Sequence, residues 1–201
     1  MQTILDVKGL EIRRGGIEVI KDVNFTLSRG ERVALLGENG IGKTSLLRVL
    51  AGLDMPVAGH IESPMALNLT NIGFMPEKPT TIPHVRVEEW LNFWAEQSGC
   101  AKPDRPGVEP LLKKPMHKLS YGQSRYVAWL AAMQHRPKLL LLDEPTHGLD
   151  VERRKILGEW LFRLSPEGAT IFTTHDEAEA NALATRIFRL VDGAMHEELV
   201  A

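Results

Sequence analysis

Arg32-Val33-Ala34-Leu35-Leu36-Gly37-Glu38-Asn39-Gly40-Ile41-Gly42-Lys43-Thr44-Ser45-Leu46-Leu47-Arg48-Val49-Leu50 decides the fold. Its first five residues read as a strand, apolar from Val33 to Leu36. Leu46, Leu47, Val49, Leu50 and Leu53 then recur at helical spacing, up to Gly52 and Pro56. Between strand and helix, Gly37 to Thr44 satisfies G-x-x-x-x-G-K-[ST] in the context that motif demands. Glycines let successive N–H groups curl around phosphate oxygens, and a helix beginning near Lys43 aims its positive end at the same place. The motif implies a phosphate site made of Gly37, Glu38, Asn39, Gly40, Ile41, Gly42, Lys43, Thr44 and Ser45. Lys43 would reach the outer phosphates and the Thr44 hydroxyl would ligate Mg2+. The bland alternative is a glycine-rich turn that happens to precede a helix.

Upstream, Ile4–Val7, Leu10–Ile12 and the alternating Asp22–Leu27 read as strands, with turn signals at Arg14-Gly15-Gly16 and Ser28-Arg29-Gly30. Downstream, seven of the 12 prolines fall between Pro76 and Leu119, around one helical pattern from Val87 to Gln97. That concentration predicts an inserted, partly helical segment with long connections. Leu139-Leu140-Leu141-Leu142 suits a strand buried on both faces of a parallel sheet, and Thr170–Thr174 is a second such run. Arg186–Val191, Asp192-Gly193 and Ala194–Val200 predict a closing hairpin. The class is α/β.

Asp143 and Glu144 follow the apolar strand at the edge where open α/β sheets bind ligands. Asp143 suits a Mg2+ contact and Glu144 suits the general base of a hydrolysis, although such pairs also cap helices and start turns. In Leu119-Ser120-Tyr121-Gly122-Gln123, Ser120 and Gln123 have capping-box spacing, which predicts a helix from Tyr121 to about His135. Its start offers bare N–H groups and a hydroxyl to an anion, or it is a plain cap. His175 follows the second apolar run, where Asp176 and Glu179 have the spacing of a helix start. A lone histidine is more often structural, and the other six show no ligand spacing and receive no site. Trp90 and Trp94 stand at i and i+4, as core or as a groove for a partner's helix.

Taken in order, these stretches resemble the ABC ATPases: Walker A at 37–44, signature at 119–123, Walker B at 139–143, Glu144 after it, a D-loop at Gly148-Leu149-Asp150 and a switch histidine at His175. The resemblance covers nearly the whole chain. It implies a P-loop NTPase (RecA-like) core with an N-terminal antiparallel β subdomain and an inserted helical signature subdomain. The expected division is a core of 1–75 and 138–201 with a helical insertion of 76–137. It also implies ATP and Mg2+ as ligands and a head-to-tail pairing with a second copy of such a subunit. Ser120 and Gly122 would then meet the γ-phosphate held by the partner copy, and His175 would contact the γ-phosphate in its own copy. Three positions depart from the family pattern. Glu77 stands where the Q-loop has glutamine, yet a carboxylate there can take a Mg2+ or water contact. Arg14 aligns with the aromatic that stacks on adenine, and a guanidinium plane can also stack on a base. Tyr121 replaces the first glycine of the signature.

Lys plus Arg total 24 against 26 Asp plus Glu, a net charge of -2, so nothing predicts nucleic acid as a partner. One cysteine, Cys100, excludes an internal disulfide, and the 43% hydrophobic, 25% charged composition excludes a disordered or collagen-like chain. No signal peptide or membrane span is legible, and the resemblance implies a cytoplasmic location, peripheral on the inner face of the cell membrane through an integral membrane permease. The resemblance therefore implies the ATP-hydrolysing subunit of an ABC transporter. The brevity of the chain is similar to small exporter ATPases of the haem-exporter type, which favours export. The alternatives are a non-transport ABC ATPase, or a regulatory nucleotide-binding module with little turnover, motivated by Glu77 and Arg14. Translation factors of the family carry two ATPase units and its chromosome ATPases a long coiled coil, neither of which is present.

Overall fold

A computed structural model describes residues 2–79, 82–164 and 166–200. In chain order it holds β1 (Thr3–Arg14), β2 (Ile17–Ser28), β3 (Arg32–Leu36), α1 (Lys43–Leu50), β4 (Ala58–Glu62), β5 (Ile72–Met75), α2 (Val87–Gln97) and α3 (Tyr121–Met133). Then come β6 (Leu139–Leu142), α4 (Val151–Leu164), β7 (Ala169–Thr173), α5 (Glu177–Leu183), β8 (Arg186–Val191) and β9 (Ala194–Glu198). β2, β1 and β4 form an antiparallel sheet in that order. β5-β6-β7-β3-β8 run parallel in a second sheet, which β9 closes antiparallel to β8.

The two short strands expected at Ile4–Val7 and Leu10–Ile12 are one strand, β1. The buried set changes parity there, from Leu5 and Val7 to Leu10 and Ile12, and the register with β2 shifts between Val7 and Leu10, beside Gly9 at φ +58°. A bulge lets the strand bend and keep its apolar side chains on one face instead of turning back. β4 carried no apolar pattern to read, because it is an edge strand exposed along most of its length. α3 stops at Met133, two residues before the expected end, and Arg136 sits at φ +54° ahead of Pro137.

Alternate residues of the central strands face opposite layers. Ala34, Leu36, Leu140, Leu142 and Phe172 pack against Val127, Trp129 and Leu130 of α3 and Leu157, Trp160 and Leu161 of α4. Val33, Leu35, Leu139, Leu141 and Ile171 pack against α1 and the antiparallel sheet. This double burial is why β6 is a continuous apolar run, and β3 and β7 nearly so, rather than alternating ones. Gly73 in β5 lets α3 lie close, since a Cβ there would come within 2.0 Å of the Ala132 carbonyl oxygen.

Candidate functional site

At the C-terminal edge of the parallel strands, a cavity of about 650 Å3 is lined by Arg14, Val19, Asn39, Gly40, Gly42, Lys43, Thr44, Ser45, Glu77, Asp143, Glu144, His147 and His175. Sequence positions more than 100 apart meet here because β3, β6 and β7 are neighbours in register. Gly42 stands at φ +121°, and a Cβ would lie 2.9 Å from the Val19 carbonyl oxygen, so both conformation and space require glycine. Lys43 Nζ donates to the carbonyls of Gly37 at 2.6 Å and Glu38 at 3.0 Å, which holds the ammonium inside the loop. Ile41, half-buried, packs its side chain against the core below and does not line the cavity.

Thr44 Oγ1 donates to Asp143 Oδ2 at 2.7 Å, and Thr173 Oγ1 donates to Asp143 Oδ1 at 2.7 Å. The Glu144 N–H in turn donates to Thr173 Oγ1 at 2.9 Å. Glu144 has φ +49°, a region that residues other than glycine rarely occupy and that costs energy unless the surroundings hold it. Its Oε2 lies 3.0 Å from His175 Nδ1. Glu77 is exposed at the cavity rim. Arg14 Nη1 donates to Ser45 Oγ at 3.2 Å, which fixes a guanidinium on the wall formed with Val19.

Ser120 and Gly122 do not line this cavity. Ser120 caps α3: its Oγ accepts from the Gln123 N–H and the Gln123 side chain accepts from the Ser120 N–H, the expected capping box. Ser120 is exposed there. Tyr121 lies over Gly148, where a Cβ would meet its ring at 2.6 Å. Three residues escaped the sequence reading. His147 lines the cavity, although it was assigned no site. Thr173 holds the Asp143 carboxylate and the Glu144 backbone N–H, but a threonine inside a β run carries no distinguishing signal. Arg125 is fully buried among Tyr126, Val127 and Trp129, and a charge inside that apolar stretch was the available clue.

A family model described as ABC transporter matches residues 20–147. The sulfate/thiosulfate import ATP-binding protein CysA of Pseudomonas aeruginosa is 33% identical over 218 residues, which cover 96% of this chain and 65% of that protein. The chain thus spans just under two thirds of that relative's length. A probable sulfate/thiosulfate import ATP-binding protein CysA of Chlorella vulgaris is 36% identical over 205 residues, covering 93% of this chain and 87% of that one. A solved structure described as the ATP-binding subunit of an ABC transporter superposes with a TM-score of 0.89 at 26% identity, over 98% of this chain and 90% of that one.

Proposed function

The chain belongs to the ABC transporter family, and on that premise we propose that it binds ATP and hydrolyses it to drive a separate membrane permease. The observation that carries this reading is the convergence of Lys43, the Thr44–Asp143 pair and the Glu144–His175 pair in one cavity. Gly37 to Ser45 would hold the phosphates, with Lys43 offsetting the charge of the outer two. Thr44 and Asp143 present adjacent hard oxygens, a donor set that fits Mg2+, with Glu77 close by; bound there, the ion would offset charge on the phosphate oxygens. Glu144 would accept the proton of a water attacking the γ-phosphate, as the bond from that phosphorus to the ADP oxygen breaks. His175 would hold Glu144 and the γ-phosphate in register. Arg14 would lie against the base.

In this reading residues 76–137 form the helical insertion on a core of 1–75 and 138–201, and Ser120 and Gly122 complete the site of a second copy. The exposure of Ser120 at a helix start outside its own cavity supports that role. Among the described residues no helix is long and apolar enough to cross a membrane. The permease would dock at an apolar groove of about 410 Å3 whose walls include Leu69, Phe74, Pro79, Trp90 and Trp94, next to Glu77. Val87, Leu91 and Ala95 take the core side of α2, which leaves the two half-buried tryptophans for the groove. Two relatives named as import proteins support import, against the export expected from chain length. Phosphate release tests the reading. Glu144→Gln should keep ATP affinity while turnover falls by about 10^2 or more, and Lys43→Ala should lose binding. Near-normal release by Glu144→Gln would remove Glu144 as the base.

A further inference from the structure

We propose that Arg125 is a positioning residue that holds Glu144 in its hydrolytic geometry and ties it to the signature helix; the inference rests on the ATPase reading above. Arg125 sits one turn into α3, five residues after Ser120, with none of its surface exposed. Its Nη1 donates to the carbonyls of Pro76, at 3.2 Å, and Glu77, while Nη2 donates to those of Asp143, at 3.1 Å, and Glu144. One planar cation therefore bridges the segment bearing Glu77 and the segment bearing Asp143 and Glu144. Both segments line the cavity. A buried guanidinium is tolerated only where its donors are met, and here backbone oxygens meet those of both outer nitrogens. Among the described residues the Nε has no hydrogen-bond partner. The guanidinium thus spans the two strand ends through four backbone carbonyls.

The strained backbone of Glu144 shows what this arrangement does. A residue at φ +49° persists only when its surroundings over-determine it, and Glu144 is held from both sides, its N–H by Thr173 Oγ1 and its C=O by Arg125. Because Arg125 belongs to the helix that Ser120 caps, a shift of that helix start against a partner's nucleotide would move the carbonyl of Glu144 directly. The signature of one site is thereby wired to the base of the other through a single side chain.

The test compares wild type with Arg125→Lys and Arg125→Gln. Lysine keeps the charge as a compact point donor, and glutamine reaches one segment only, so neither can span both strand ends. Steady-state ATP hydrolysis by either variant should fall about 10-fold to 100-fold in kcat, with ATP affinity by direct titration within about threefold of wild type. In a Glu144→Gln background the same substitution should cause no further loss, because the group through which it acts is already gone. An unchanged kcat, a parallel loss of ATP affinity, or an equal loss in both backgrounds would overturn the proposal. If Lys43→Ala failed to lower wild-type hydrolysis, the ATPase reading itself would fall, a result separable from the others.

Discussion

Asp143 is a buried carboxylate that depends on two hydroxyls, those of Thr44 and Thr173. Thr173 has two tasks, since it also accepts the Glu144 N–H. Thr173→Val keeps the shape and removes the hydroxyl, so it leaves a buried acceptor and a buried donor short of a partner. Each such orphan costs about 1–3 kcal/mol. The variant should melt below wild type and hydrolyse ATP more slowly through a displaced Glu144, which a thermal melt and a phosphate-release assay will show together. The phosphate-loop residues were legible in sequence because glycine spacing has a steric meaning that survives without coordinates. Thr173 and Arg125 were not, because their roles consist of bonds to chain segments far away in sequence.

α3 and α5 show what local sequence encodes at the level of the element. The Ser120–Gln123 box and the Asp176 cap both form, the latter through the Ala178 and Glu179 N–H groups. Glu179 does not close a box on α5; it turns inward and accepts from Thr174 Oγ1 at 2.6 Å. Burial, reinforced by the charges of Glu144 and Asp176, raises its carboxyl above the usual range against the lowering effect of the Thr174 and Thr146 hydroxyls. The folded state therefore binds this proton more tightly than the unfolded state. Its contribution to stability is fully present below the ordinary value of 4.5 and is lost as pH rises through the raised one. Glu179→Gln holds the uncharged form, so it should raise the melting temperature at neutral pH and leave it unchanged below 4.5, as measured by melts across that range. A capping pattern names the helix start, but only the packing of α5 decided which way Glu179 points.

For the whole molecule, the exposed signature and the separate phosphate cavity predict a linked equilibrium between single and paired subunits. ATP with Mg2+ added to the Glu144→Gln protein should favour the paired state, and light scattering after size exclusion should show a mass shift that ADP does not produce. A dimer that forms equally well without nucleotide would locate the contact elsewhere, with the exposed Phe93 beside Trp90 and Trp94 as the first surface to test.

What the sequence by itself determined was the strand–loop–helix unit around the phosphate loop, the buried strand Leu139–Leu142, the start of α3 and the chemistry at their ends. Leu139–Leu142 must be buried on both sides, Gly37–Thr44 must curl, and Ser120 must cap, because these depend on sterics and hydrogen bonding within a few residues. The tertiary structure decided the strand order β5-β6-β7-β3-β8 and the parity change inside β1. It also decided the bridge from Arg125 to Glu77 and Glu144. These are long-range contacts, selected by how the whole chain buries its apolar faces and satisfies its buried polar groups, and no short window of residues contains both partners.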